Sequence, residues 1–393
     1  MYSSVFICFT PYQLLNAVYY GDKLNKESKR ILVWHNYTKH TIDLSRFEFA
    51  FDEIIEVSNF YDEIFLKRQF HKCLYGGWLF PFSKINESIS RLNLKETFIF
   101  IFSDQHIISR KIITTYGANA KDVILVEEGM ATYLIRSRKI PKSRDWLINL
   151  FLGARYEPYI GANGLIRTIF VKHPEMLPKE KTINRKIVPQ HNVFREHELW
   201  KSVFQDARNI IGNISDEHRI VLWLGQPLEM DGISKQSQLE WLDEIAKVLS
   251  RFGEYSFLIK PHPREDNGKY AEVSKLKNVS LIDLHELSWV PIEILASLIK
   301  PDIVLTVFST AANNIMELGL PCKVVYCYPA FEINMGNEIN HYVNSNSNVY
   351  CIRNVGDFIS VLAKEYHNNC LEDNNTNSDL SYMKQKMKNT DTI

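Results

Sequence analysis

A histidine between two prolines has the setting in this chain that most directly suggests chemistry. His262 lies between Pro261 and Pro263, at the end of an apolar segment. Because proline fixes φ and holds the preceding residue extended, the imidazole has a rigid mount. At the carboxyl end of a buried strand, such a histidine can protonate or hydrogen-bond a phosphate leaving group. The alternative is a turn histidine with a structural hydrogen bond.

A second His-Pro pair, His173-Pro174, competes with the first. It falls in a region where we expect a linker and no helix after a strand. We therefore favour His262 as the functional histidine.

Two further segments could bind parts of a nucleotide. Ser309 and Thr310 follow an apolar segment and precede small residues that open a helix, which suits a phosphate or an ordinary N-cap. Glu293 comes two residues after Pro291, near the start of a helix. Its carboxylate could complement the helix dipole or accept hydrogen bonds from a ribose diol.

Three carboxylates are candidates for a general base. Glu127 and Glu128 follow an apolar segment and precede Gly129. Adjacent carboxylates repel, so one can hold its proton more tightly and face a cleft as a base. A solvated acidic loop is the alternative. Asp231, before Gly232, is a second position for the base or only a turn.

Short apolar segments that alternate with helical patterns must position these residues, and they predict parallel sheets of the α/β class. We expect strands at 5–9, 31–34, 97–102, 123–126, 220–224, 256–259, 279–282, 303–307 and 323–327. Helical spacing predicts helices at 12–20 and 239–252.

The length of 393 residues favours two domains, since a domain usually has about 100–200 residues. The pattern weakens between about 156 and 200, which we interpret as a linker. We expect a first doubly wound domain at 1–185, a second at 186–367 and a flexible tail at 368–393.

Composition excludes several classes of protein. The 46 basic and 46 acidic residues cancel, so no global field attracts nucleic acid. Six cysteines without CxxC spacing favour a reduced, cytoplasmic setting over disulfides or zinc. No apolar segment is long enough to span a membrane. The basic and then apolar stretch 136–155 could lie on an anionic membrane surface, or form a buried helix with a basic flank.

Known catalytic patterns are missing from the sequence. It contains no D-x-D, GxxxxGK[ST], HExxH or GxSxG. A metal-bridged diphosphate site, an ATPase, a zinc protease and an α/β-hydrolase therefore lose most of their support.

The motifs, taken in order, resemble those of bacterial sialyltransferases: an acidic pair with glycine (127–129), His-Pro (262–263) and Ser-Thr (309–310). The opening segment 8–13 and the box 260–265 are most similar to glycosyltransferase family 52, which contains lipooligosaccharide and capsular sialyltransferases. The polysialyltransferases share these motifs and are the nearest alternative. The resemblance covers residues 1 to about 330.

This resemblance implies a GT-B fold, with two Rossmann-like domains and the active site in the cleft between them. It implies CMP-sialic acid as donor, inversion, and no metal or other cofactor. His262 would protonate or stabilise the departing phosphate. Glu128 and Asp231 are rival bases, with Glu127 third. The implied donor-binding residues are Lys260, Pro263, Gly225, Glu293, Ser309 and Thr310, and the substrate-binding candidates are Thr10 and Gln13.

The sequence thus predicts a bacterial enzyme that sialylates a terminal sugar of lipooligosaccharide or capsule. We expect a cytoplasmic protein, with residues 136–155 offering peripheral contact with the membrane, and relatives make a homodimer plausible. The alternatives are a GT-B transferase that uses another nucleotide donor, for capsule or teichoic-acid-like polymers, and a non-catalytic scaffold of capsule assembly.

Overall fold

A computed structural model describes most of the chain, which forms two compact units. The described residues are 2–23, 28–35, 42–57, 79–135, 157–190, 219–262, 265–266, 268–282, 290–333, 335 and 346–372. The first unit comprises residues 1–213, 285–298 and 317–319, and the second comprises residues 214–284, 299–316 and 320–393.

In the described part of the first unit, seven strands form a parallel sheet. They are β1 (Ser3–Cys8), β2 (Lys29–His35), β3 (Glu53–Val57), β4 (Thr97–Ile101), β5 (Asp122–Val126), β6 (Thr168–Val171) and β7 (Lys186–Pro189). Their order is β3-β2-β1-β4-β5-β6-β7, and each neighbouring pair is parallel. The strand order therefore reverses between β1 and β4, which is where doubly wound sheets bind ligands.

The second unit repeats this winding with six parallel strands among its described residues. They are β8 (Arg219–Leu224), β9 (Tyr255–Lys260), β10 (Val279–Leu281), β11 (Ile303–Thr306), β12 (Lys323–Tyr326) and β13 (Val349–Cys351). Their order is β10-β9-β8-β11-β12-β13. The reversal point of this sheet lies between β8 and β11.

Helices follow most of these strands. They are α1 (Pro11–Lys23), α2 (Leu79–Ser90), α3 (Ile107–Ile112), α4 (Lys179–Thr182), α5 (Lys235–Phe252), α6 (Ile292–Ile299), α7 (Thr310–Glu317) and α8 (Val355–Glu372). In the described part of the chain, no helix is both long and apolar enough to cross a membrane.

Local sequence explains why these elements form. All six residues of β1 are buried, as expected for a central strand covered on both faces. Helix α5 begins after Ser234, whose side chain accepts a hydrogen bond from the backbone N of Ser237. It ends at Gly253, whose φ of 75° is in the left-handed region that favours glycine.

The predicted α/β class with two doubly wound sheets is confirmed, and all nine predicted strands are present. Four strands were not predicted: β3, β6, β7 and β13. Three of them lie at sheet edges, and all four have at most five residues, so their apolar signal is weak.

The region that we interpreted as a linker contains β6 and β7, so at residues 168–171 and 186–189 that interpretation is wrong. The first sheet thus extends past residue 185, and α8 continues past residue 367 to Glu372. The three domain limits themselves stay predictions. The basic stretch 136–155 and residues 373–393 lie outside the described residues.

Candidate functional site

The reversal point of the second sheet brings together two loops that carry predicted donor-binding residues. Gly225 directly follows β8, and Ser309 follows β11. The Oε1 of Gln226 accepts hydrogen bonds from the backbone N of Phe308 at 2.9 Å and from the Oγ1 of Thr306 at 3.1 Å. The amide side chain of Gln226 therefore fastens the two loops to each other.

His262 lies two residues past the end of β9, which pairs with β8. The residue is half-buried, and Lys260 at the strand end is buried. The backbone N of His262 donates a hydrogen bond to the Oε2 of Glu265 at 2.7 Å. A side-chain acceptor therefore fixes the histidine backbone in addition to Pro261. Pro263 lies outside the described residues.

Three buried side chains support this loop, and we call Glu265, Lys269 and Tyr270 the Glu265 cluster. The Nζ of Lys269 donates to the Oε1 of Glu265 at 2.6 Å, and the Tyr270 hydroxyl lies 2.9 Å from both carboxylate oxygens. Burial raises the pKa of the Glu265 carboxyl, and the hydrogen bonds from Lys269 and the His262 backbone oppose that shift.

Gly225 packs directly on this cluster. A Cβ atom at Gly225 would lie 2.4 Å from the Oε2 of Glu265, 2.7 Å from the Tyr270 hydroxyl and 3.0 Å from the backbone N of His262. Only glycine allows this approach of the loop after β8 to the His-Pro loop. The predicted donor-binding glycine thus also has a packing role.

Ser309 immediately precedes α7, as predicted. Its Oγ accepts a hydrogen bond from the backbone N of Ala311 at 3.3 Å, and its backbone N donates to the Oγ1 of Thr306 at 3.3 Å. Ser309 therefore caps α7, and this helix start is also suited to a phosphate. The side chain of Thr310 is not described.

In the first unit, the two glutamates that follow β5 have different surroundings. Glu127 is buried, and its Oε2 accepts hydrogen bonds from the backbone N of Lys172 at 2.6 Å and from the Tyr133 hydroxyl. Burial raises the pKa of the Glu127 carboxyl. Glu127 thus connects the end of β5 to the residues after β6.

Glu128 is half-buried. The pKa of the Cys8 thiol is raised, first by burial and then by the charge of Glu128. The Glu128 carboxylate is therefore close enough to influence Cys8 at the carboxyl end of β1, near the reversal point of the first sheet. Of the two glutamates, it is the less buried one, at an edge where doubly wound sheets bind ligands.

Thr10 directly precedes α1, and Gln13 lies in its first turn. Gln13 is buried, and its Oε1 accepts a hydrogen bond from the backbone N of Phe9 at 2.7 Å. The backbone N of Gln13 donates to the Oγ1 of Thr10 at 3.3 Å. Both predicted substrate-binding side chains thus stabilise the turn between β1 and α1, and the half-buried Thr10 is the more accessible.

Glu293 lies in another unit than we expected, and Asp231 lies in a short helical turn. Glu293 is buried on α6, in a segment that belongs to the first unit, whereas we assigned it to donor binding with residues of the second. Burial raises the pKa of Tyr12, and the charge of Glu293 raises it further. Asp231 ends the short 3-10 helix Leu228–Asp231, and its side chain is not described.

The competing His173 follows β6 and precedes α4, so the expectation that no strand and helix surround it is wrong. Its Nε2 lies 3.4 Å from the Oε1 of Glu317, and its Nδ1 lies 3.4 Å from the Oε1 of Glu175. The hydrogen bond with Glu317 raises the pKa of His173. Its imidazole is therefore held between carboxylates.

Sequence reasoning missed the supporting residues of both units. These are Tyr133, Gln226, Glu265, Lys269 and Tyr270. The spacing of Glu265 three residues after His262 resembles that of a local cap and was the available signal. Tyr133, Lys269 and Tyr270 bond carboxylates four to six residues away, but no motif marked them. Nothing local indicated Gln226, because its partners lie 80 and 82 residues away and are set by the tertiary fold.

Comparison with known families decides between the two resemblances. Residues 4–328 match the family described as alpha-2,8-polysialyltransferase (POLYST). The chain belongs to this family. The resemblance to bacterial sialyltransferases is thereby confirmed, and the matching family is the one named as the nearest alternative to family 52. No curated protein matches the chain by sequence.

Solved structures share the fold at low sequence identity. An alpha/beta-galactoside alpha-2,3-sialyltransferase from Photobacterium phosphoreum is 13% identical, with a TM-score of 0.52 over 89% of this chain and 98% of that one. A UDP-GlcNAc 2-epimerase from Methanocaldococcus jannaschii is 13% identical, with a TM-score of 0.55 over 92% of both chains. The predicted GT-B fold is confirmed, and the polysialyltransferase-family chain is a glycosyltransferase of the sialyltransferase type.

Proposed function

We propose that this polysialyltransferase-family protein transfers sialic acid from CMP-sialic acid to a terminal sugar of a bacterial surface glycan, with inversion and without a metal ion. The observation that carries the proposal is the position of His262, held at the carboxyl end of β9 beside the loop after β8, which Gln226 joins to the loop after β11. The family name suggests α2,8-linked sialic acid as acceptor and product. Lipooligosaccharide and capsule are the glycan classes that we expect.

His262 acts on the leaving group in this proposal. When the bond between the anomeric carbon and the phosphate oxygen breaks, negative charge develops on the phosphate of CMP. A proton or charged hydrogen bond from the imidazole stabilises that charge. The start of α7, with Ser309 and Thr310, binds the phosphate oxygens through hydroxyls and free backbone N–H groups. A single phosphate carries less charge than a diphosphate, so these groups can replace a metal.

Glu128 takes the proton from the acceptor hydroxyl as the new glycosidic bond forms. Its half-buried position near the end of β1 favours it over Glu127, whose carboxylate already accepts hydrogen bonds from Tyr133 and the Lys172 backbone. Asp231 stays a rival base. Peripheral contact with the membrane, a cytoplasmic location and a homodimer also stay predictions.

The test is CMP release from CMP-sialic acid in the presence of EDTA, with galactose-terminated and sialic-acid-terminated acceptors. We expect release that depends on a sialic-acid-terminated acceptor and is unaffected by EDTA. Loss of release with EDTA would contradict metal independence. Absence of both release and thermal stabilisation by CMP would favour another nucleotide donor or a scaffold.

The two His-Pro pairs provide a matched comparison. His262→Ala should lower kcat by about 10²–10⁴-fold, the usual contribution of a positioned acid, while CMP still binds. His173→Ala should keep most of its turnover, because the backbone N of residue 173 still donates to the Tyr133 hydroxyl. Full activity of His262→Ala would contradict the mechanism.

A further inference from the structure

One buried ammonium group in the second unit contacts residues of three different segments. The Nζ of Lys269 lies 2.6 Å from the Oε1 of Glu265, 2.6 Å from the Oε1 of Gln238 and 3.1 Å from the Oε1 of Glu229. The backbone O of Gln226 is 3.4 Å away. The Lys269 side chain is only 2% exposed. Four acceptors thus surround a group that has three N–H donors.

These partners belong to the segments that carry the proposed chemistry. Glu265 bonds the backbone N of His262. Gln226 and Glu229 belong to the loop after β8, in which Asp231 also lies. Through Gln226, the loop after β11 is attached as well, since the backbone N of Phe308 bonds its Oε1. Lys269 therefore connects all three loops at the carboxyl edge of the second sheet.

Stability alone is a poor explanation for this arrangement. Burying a lysine and a glutamate costs solvation energy, and replacing such pairs by apolar residues of similar size is often neutral or stabilising. The acceptors around Lys269 already occupy its donors, so this ammonium is not suited to binding a ligand directly. What the pair does provide is a buried side-chain connection between the loop that contains His262 and the loop after β8.

We propose that Lys269, acting through Glu265, is a positioning residue. It holds the loop after β9 that contains His262, which we call the His262 loop, in register with the loops after β8 and β11. This inference rests on the proposed function, because it assigns those loops to the donor. Alignment of the imidazole with the leaving phosphate depends on this register, and a misplacement of about 1 Å can cost 10²-fold in rate. The affinity for CMP is spread over many contacts and therefore depends less on the register of these loops.

The first experiment compares Lys269→Met with Lys275→Met. Lys275 pairs only with the exposed Glu272 among the described contacts and is itself 69% exposed, so it serves as a control from the same unit. For Lys269→Met we expect kcat to fall by about 10²-fold, with a much smaller change in the Kd of CMP. Lys275→Met should match the unmodified protein. Unchanged kcat in Lys269→Met would overturn the inference.

A double variant separates positioning from stability. Glu265→Met with Lys269→Met removes both charges, so the midpoint of urea unfolding should stay near that of the unmodified protein. Turnover should still be low, because the backbone N of His262 has lost its acceptor. A stable double variant with full turnover would overturn the inference. If it does not fold, Tyr270→Phe keeps the ion pair and removes one hydrogen bond, and a several-fold loss of kcat is then expected.

Hydrogen exchange tests the same inference without any substrate. The backbone N–H of His262 should exchange faster in Lys269→Met than in Lys275→Met, in peptides that span residues 258–266, while strand β8 stays protected. Equal exchange in both variants would overturn the positioning role. If the unmodified protein releases no CMP from CMP-sialic acid but this difference in exchange is present, the proposed function fails and the structural role of Lys269 stands.

Discussion

Neighbouring residues of the same type can have unlike roles, and Glu127 and Glu128 are such a pair. Glu127 is buried and accepts two hydrogen bonds, one of them from the backbone N of Lys172 at 2.6 Å. Glu128 is half-buried and acts on the end of β1. The sequence pattern indicates an acidic site but not which carboxylate is structural, because burial is set by β6 and the segment after it.

We expect kcat of Glu128→Gln to fall by about 10²–10⁴-fold, because a neutral amide cannot take the proton from the hydroxyl of the acceptor sugar. Its urea unfolding midpoint should stay the same. Glu127→Leu should instead lower the free energy of unfolding by about 1–3 kcal/mol, since the backbone N of Lys172 and the Tyr133 hydroxyl would lose the oxygen that accepts both of their hydrogen bonds. Steady-state kinetics and urea unfolding check both variants. Retained turnover in Glu128→Gln with loss in Asp231→Asn would move the base to Asp231.

At Gly225 the missing side chain is itself the requirement. We expect Gly225→Ala to lower the free energy of unfolding by about 1–3 kcal/mol, because the added carbon would overlap Glu265 and Tyr270. Kcat should fall as the His262 loop shifts. Gly164 has no atom within 4 Å of the position of an added Cβ, so Gly164→Ala is the matched control and should change little. Equal stability of the two variants would contradict the packing argument.

At the scale of elements, most buried central strands could be predicted, whereas three of the four edge strands of the described sheets could not. Strands β1 and β11 consist entirely of buried residues, so their apolar segments stand out. Strand β3 has two glutamates among five residues, and β7 ends in a proline at the sheet edge. Such strands are identified only once a neighbour pairs with them.

Elements β2 and β4 also bring together two histidines that the sequence did not indicate, the buried His35 and the half-buried His106. The Nδ1 of His35, at the end of β2, lies 3.2 Å from the Nε2 of His106, which follows β4 and stacks on Phe9. Burial lowers the pKa of His35 to about 4, and burial together with the charges of His35 and Arg110 lowers that of His106. Both imidazoles are therefore neutral at neutral pH.

This pair should make the fold sensitive to acid. Between about pH 6.5 and 4 the unfolded chain protonates His35 and the folded chain does not, so stability falls as pH drops, by at most about 1.4 kcal/mol per pH unit. His35→Phe should show a shallower loss of urea stability between pH 7 and 5. His173 has a raised pKa, so its contribution has the opposite sign and His173→Gln should steepen the loss. Parallel pH profiles for the two variants would contradict this assignment.

For the whole molecule, the alternation of apolar and helical segments predicted two doubly wound sheets, and the order of three short motifs predicted the sialyltransferase type. The ligand-facing ends of the strands carry those motifs because parallel sheets place their carboxyl ends together. Neither of these two sequence patterns identifies the acceptor sugar. The choice between one added sialic acid and a polymer depends on surfaces that the pattern of core residues does not specify.

Membership of the polysialyltransferase family predicts repeated addition to an α2,8-linked acceptor. With 46 basic and 46 acidic residues, the molecule has no net charge to attract a polyanionic glycan over long range. Acceptor binding must then come from local contacts between charges. Dissolved salt weakens such contacts, since it screens exposed charges more than about 10 Å apart. We expect products that differ by single sialic acids, and a KM for long acceptors that rises with salt more steeply than the KM for short ones. Chromatography of labelled products at two salt concentrations measures both, and a single added residue at every enzyme concentration would indicate a monosialyltransferase.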